Sequence, residues 1–123
     1  MRVEAFAETV VEGAEAWARV KRPHAEQLCD GHFPDTPLLP GASVVGLMAD
    51  LAGMLLAKRG APSRLTAVVS ATFLVPILPA ADLDLQARLD TPPDTAAAPD
   101  ETIVSVVART DGRLAARATL RFA

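Results

Sequence analysis

The sequence predicts an α+β fold, an antiparallel sheet of about six strands wrapped around one long helix. Three observations carry that expectation. Residues 42–57 form an almost unbroken apolar run, opened by Pro40-Gly41 and closed by Lys58-Arg59-Gly60, which is the punctuation of a helix with cations at its C-terminal end. Residues 113–122 alternate with period two, Leu114, Ala116, Ala118, Leu120 and Phe122 against Arg113, Ala115, Arg117, Thr119 and Arg121, as a strand with one buried face does. Asp111-Gly112, immediately before that run, is a strong hairpin signal.

The remaining elements follow in chain order. Val3, Ala5 and Ala7 alternate with Arg2, Glu4 and Glu8; after Glu12-Gly13, Ala14, Ala16, Ala18 and Val20 stand opposite Glu15, Trp17, Arg19 and Lys21, so a first hairpin is expected. In the helix, Val44, Val45, Leu47, Met48, Leu51, Met54, Leu55 and Leu56 cover nearly every side, which requires other structure to enclose it. A membrane span is a poorer reading of this run: Asp50 at its centre would cost roughly 2.5–3.5 kcal/mol in a bilayer, and the run falls short of about 20 residues. Residues 65–77 are apolar on both faces, as in a central strand, with Pro76 and Pro79 closing it. Residues 82–90 alternate again, Leu83, Leu85, Ala87 and Leu89 against Asp82, Asp84, Gln86 and Arg88. Residues 90–101, DTPPDTAAAPDE, have turn composition and read as a loop, and residues 102–109 form the strand that pairs with the last one.

Composition sets the frame. A chain of 123 residues that is 50% hydrophobic fits one domain spanning residues 1–123. A net charge of -3 argues against a nucleic-acid footprint spread over the surface. Cys29 has no cysteine to pair with, and the opening MRVEAFAE has no basic-then-apolar segment, so a cytoplasmic protein off the membrane is expected. His24 follows Pro23 with no matching partner, and no cluster has metal-ligand spacing; neither a metal nor a cofactor is expected.

Most of the functional information lies in residues 31–50, GHFPDTPLLPGASVVGLMAD, where His32 sits in a proline-rich turn that leads into the helix. Imidazole exchanges a proton around neutrality, its unperturbed pKa being about 6.5. The segment resembles that of the FabA/FabZ-type β-hydroxyacyl-[acyl carrier protein] dehydratases, a hotdog-fold family whose central helix is preceded by GHFPGxPxxPG. Gly31, His32, Phe33, Pro34, Pro37, Pro40 and Gly41 stand here in the same spacing. The resemblance implies a hotdog domain. It also implies dehydration of a 3-hydroxyacyl thioester, carried by acyl carrier protein or coenzyme A, in fatty acid, polyketide or polyene synthesis. On this resemblance His32 abstracts the C2 proton, and the backbone N–H of Gly41 bonds the thioester carbonyl at the positive end of the helix dipole. Phe33, Pro40, Gly41 and Gly46 become the candidate substrate-contacting residues, and the buried helix and sheet offer a tunnel for the acyl chain.

One position departs from the family pattern. Its members carry Glu or Asp on the helix fourteen residues after the histidine, and Gly46 stands there. Asp50 is one turn further, rotated by about 40° and displaced by about 6 Å along the axis, so it lies on nearly the same face. The family's active site lies between two subunits, histidine from one and acid from the other, which leaves several readings open. Asp50 serves as the acid in a homodimer, or a related hotdog subunit supplies a Glu in a heterodimer. Alternatively the chain is an acyl-thioesterase using Asp50, or a non-catalytic acyl-binding or partner subunit. Asp50 also has a structural reading, bonding backbone groups at a subunit contact.

Other residues near the motif have ordinary roles. Cys29 reads as a small buried hydrophobe, and Asp30 and Asp35 as turn residues. Arg113, Arg117 and Arg121 form a basic stripe, read as a solvated strand face more than a carrier-protein contact. The family's basic residue near Phe73-Leu74-Val75-Pro76 is absent, as is its Pro-Gly-Asp turn where this chain has Pro79-Ala80-Ala81-Asp82.

Overall fold

The computed structural model describes residues 3–28, 38–90 and 101–123. The expected first hairpin forms from β1 (Phe6–Glu12) and β2 (Glu15–Val20), paired antiparallel. Ala16, Ala18 and Val20 are buried as the alternation predicts. In β1 the prediction fails at Ala7, which is exposed while Ala5 and Phe6 are buried, because the register shifts between Phe6 and Glu8 and breaks the period of two.

A short helix, α1 (Arg22–Leu28), follows, and the sequence pattern did not predict it. Seven residues are too few to display an apolar period; the signal that could have found it is Pro23 in the first turn. Ala25 is buried, and the Arg22 guanidinium bonds Asp82 at 2.8 Å, tying α1 to the far end of the sheet.

The long helix is α2 (Gly41–Lys58), within a residue or two of its predicted ends. Its C-terminus is a Schellman motif: the Gly60 amide donates to Ala57 O at 3.1 Å and the Ala61 amide to Leu56 O at 2.9 Å. Gly60 has φ 71°, a conformation side chains disfavour, which explains a glycine directly after Lys58-Arg59. The Arg59 guanidinium reaches back to Gly13 O at 2.9 Å and fastens the helix end to the β1–β2 turn.

Four strands complete the fold: β3 (Leu65–Phe73), β4 (Leu83–Leu89), β5 (Thr102–Thr110) and β6 (Arg113–Phe122). They join the hairpin in one six-stranded sheet of order β1-β2-β4-β5-β6-β3, with every neighbouring pair antiparallel. Asp111 (φ 48°) and Gly112 (φ 82°) make the tight β5–β6 turn that their sequence predicts. A register shift between Ala108 and Arg109 alters the start of β6: Ala115 is buried beside Ala116, and Leu114 is turned to solvent, against the simple alternation.

The sheet's inner face is rich in small residues at its centre. Ala16, Ala18, Ala87, Ala108, Ala116 and Ala118 are all buried, and they let α2 approach closely so that Met48, Leu51, Leu55 and Leu56 fill the space between. Each fully buried leucine is worth about 1.5–3 kcal/mol relative to exposure. By length and composition α2 could cross a membrane, yet the residues it buries are those meeting the sheet, the arrangement of a core helix.

Two expectations are corrected here. The sheet covers only one side of α2: Ala42, Gly46, Asp50 and Ala57 are exposed, so the described residues do not enclose the helix. And β3 is an edge strand, not a central one. Its register continues the apolar inner row, with Leu65 opposite Phe122, Val68 opposite Leu120 and Phe73 opposite Ala116, and the helix meets it at Phe73, against Gly41, while most of the strand stays uncovered. Val68, Val69 and Phe73 consequently remain 45–51% exposed.

Candidate active site

The end of the motif is held where α2 begins. The Leu39 amide donates to Ile77 O at 2.9 Å, joining the motif to the segment between β3 and β4. Pro40 is the N-cap, in extended conformation (φ -61°, ψ 140°), and no described side chain caps the helix. Its carbonyl accepts the first bonds of the helix, from Ser43 at 3.0 Å and Val44 at 3.1 Å. By helix geometry the Gly41 and Ala42 amides precede that first bond and have no partner inside α2. They carry the positive end of the dipole, suited to an oxygen that gains negative charge.

An apolar cleft of about 350 Å³ adjoins this helix start. Leu38, Leu39, Gly41 and Val44 line one side and residues 73–77 the other. The second wall is fixed by two amides, Leu74 and Val75, which both donate to Ala115 O, at 2.7 and 3.3 Å. Gly41 is packed tightly: a Cβ there would lie 3.0 Å from the tip of the Phe73 ring. The motif did not point to Phe73, because its only signal was an aromatic at the end of an apolar run, and the contact depends on a pairing that sequence spacing does not give.

Of the predicted site residues, Pro40 and Gly41 flank this cleft at the helix start. Gly46 and Asp50 lie on the uncovered side of α2, both exposed. A Cβ at Gly46 would meet nothing within 4 Å among the described residues, which leave room for a side chain where the resemblance expects a carboxylate. His32 and Phe33 lie outside the described residues, as do Cys29, Asp30, Asp35 and positions 91–100 of the predicted loop. Of the basic stripe, Arg113 and Arg117 are exposed, and Arg121 approaches Glu101 at 3.9 Å.

The electrostatics resolved in the sheet lie elsewhere, at its outer rim. Arg19 meets Asp84 at 2.8 Å, and that hydrogen bond and charge raise the arginine's already high pKa. The hydrogen bond and charge of Arg22 hold the Asp82 carboxyl below the ordinary aspartate range. These are solvated pairs that fasten strands and α1 together.

Comparison with known proteins agrees with this architecture. The ApeI-like family, described as ApeI dehydratase, matches residues 8–104. A 3-hydroxyacyl-[acyl-carrier-protein] dehydratase FabZ of Streptococcus agalactiae is 31% identical over 102 residues, spanning 80% of this chain and 69% of that protein. Among solved structures, the dehydratase heterocomplex ApeI:P from Xenorhabdus doucetiae superposes with a TM-score of 0.73 at 20% identity, covering 96% of both chains. Zebrafish thioesterase superfamily member 2 superposes with a TM-score of 0.70 at 16% identity, covering 94% of this chain and 78% of that one. The fold is the hotdog fold, and the chain belongs to the ApeI-like family of FabA/FabZ-type dehydratases.

Proposed function

We propose that the protein is a 3-hydroxyacyl-thioester dehydratase subunit that works in a pair with a related hotdog subunit and takes its catalytic acid from that partner. His32 removes the C2 proton of the substrate while the Gly41 amide holds the thioester carbonyl and steadies the enolate charge. A carboxylic acid then protonates the 3-hydroxyl, which leaves as water, and the product is the 2-enoyl thioester. The substrate arrives on acyl carrier protein or coenzyme A.

The observation that carries the heterodimer reading is Gly46. Among the described residues the position is open, faces away from the chain's own sheet, and has nothing within 4 Å of a Cβ. A complete homodimer would need a carboxylate from that face. The apolar edge strand β3 supports assembly, since Val68 and Val69 stay exposed with the inner row unfinished. The Xenorhabdus fold neighbour is itself a dehydratase heterocomplex.

Asp50 favours a second reading. It lies on the same uncovered face one turn beyond Gly46, and some fold neighbours are thioesterases, so hydrolysis by a homodimer is the competing chemistry.

Mass spectrometry separates the two. A 3-hydroxyacyl thioester offered to the protein together with a Glu-bearing hotdog subunit should yield the enoyl thioester, and His32→Ala should abolish that product. Full activity in His32→Ala removes the histidine-base reading; free thiol released in place of enoyl product establishes the thioesterase.

A further inference from the structure

The cleft beside the helix start has a half-exposed wall, and within it the Phe73 ring is the side chain that packs directly on Gly41. It is the last residue of the edge strand β3, 51% exposed, and its tip lies 3.0 Å from where a Gly41 Cβ would be. The backbone on both sides is fixed, by Leu39 N to Ile77 O and by the Leu74 and Val75 amides on Ala115 O. The ring is therefore the wall set by a side chain alone: its backbone is pinned, and it packs on a glycine whose lack of a side chain makes room for it.

From this geometry we propose that Phe73 is a specificity-determining residue, closing the apolar cleft against Gly41 and so limiting the length of acyl chain that the subunit accepts. The inference rests on the proposed function, in that the ligand is an acyl thioester whose carbonyl lies at the Gly41 amide. A chain extending from that carbonyl enters a cleft of about 350 Å³, near the lower end of the range for small-molecule sites. Its lining is carbon-rich, with Leu38, Val44, Leu74 and Ile77 around the ring, so it accepts methylenes and offers nothing to a charged or polar terminus. Short and medium unbranched chains fit beneath the ring, and longer chains must displace it. Gly41 is the second half of the device. A methyl there would press on the ring at 3.0 Å, close enough that the ring has to shift.

Binding of non-hydrolysable acyl-pantetheine thioethers tests this without relying on turnover. Calorimetry with butyryl, octanoyl and dodecanoyl probes should give a preference for the shorter chains in the wild-type assembly. Phe73→Ala should move the dodecanoyl-to-butyryl affinity ratio at least tenfold toward the long chain, since each methylene accommodated or excluded in an apolar pocket changes discrimination by roughly tenfold or more. Phe73→Leu should fall between, and Val10→Ala, an exposed apolar change elsewhere on the sheet, should leave the ratio alone. Gly41→Ala should also change the ratio, and its effect should vanish in a Phe73→Ala background because the two act through one contact. An unchanged ratio in Phe73→Ala, or no acyl-dependent binding by the wild type, overturns the assignment. Dehydration measured on the same samples reports separately on the proposed function: binding with the predicted shift and no enoyl product would leave the length selector standing and remove the reaction.

Discussion

Two strands of this sheet, both mostly apolar, differ in what covers them. β4 alternates, and its inward residues Leu83, Leu85 and Ala87 are fully buried under α2. β3 carries an inner apolar row of Leu65, Val68, Ala71 and Phe73, yet eight of its nine residues are exposed. The central strand has its apolar row closed within one chain, while the edge strand leaves its apolar row open among the described residues. The same contrast divides α2, whose sheet-facing side is closed over Met48, Leu51 and Leu55 and whose other side presents Ala42, Gly46 and Asp50. The site residues gather on the unfinished half.

The contrast breaks most sharply by substitution. Leu85→Asp places an unpaired charge in the finished half and should cost about 4 kcal/mol or more, enough to lose the cooperative fold by circular dichroism. Val68→Lys in the unfinished half should change monomer stability by less than about 0.5 kcal/mol yet weaken assembly by more than tenfold in native mass spectrometry. If Val68→Lys leaves the assembly intact, β3 is not its edge.

Smaller effects refine the picture. Gly46→Ala should raise helix stability by up to about 1 kcal/mol, because the site is helical and a Cβ meets nothing there; a lowered Tm would mean that the face is more crowded than its exposure indicates. The smallest effect is acid sensitivity at Asp82. Its carboxyl is held below the ordinary value by Arg22, so the pair stabilises the fold above the unfolded aspartate pKa of about 3.9 and loses that contribution as pH falls through the lower folded value. Asp82→Asn should remove this part of the acid dependence of Tm and leave stability at alkaline pH without further slope.

Much of this was legible in the sequence. Helix α2 could be read from its apolar run and its punctuation, and β4 to β6 from period-two alternation with Asp111-Gly112 between. The position of β3 was not legible, since a strand covered on both faces by its own chain and one covered by another subunit carry the same composition. Bulges at Phe6/Glu8 and Ala108/Arg109 hid the true facing of Ala7 and Leu114 for a related reason: one extra residue reverses the alternation, and nothing local announces it. At the site, Gly41 and Gly46 are singled out by the resemblance to the dehydratase family. Phe73 is not, because its contact with Gly41 joins residues that the sequence separates by a whole helix.

The central claim is that this chain supplies base and carbonyl-binding amide but not the acid, and the rate of enoyl formation tests it most directly. The wild-type protein alone should be slower by about 10²–10⁴-fold, the contribution of a positioned acid, than the same protein supplied with a carboxylate, whether from a Glu-bearing hotdog subunit or from Gly46→Glu. Wild-type protein that dehydrates at full rate alone, and loses that rate in Asp50→Asn, would contradict the account and return the acid to this chain.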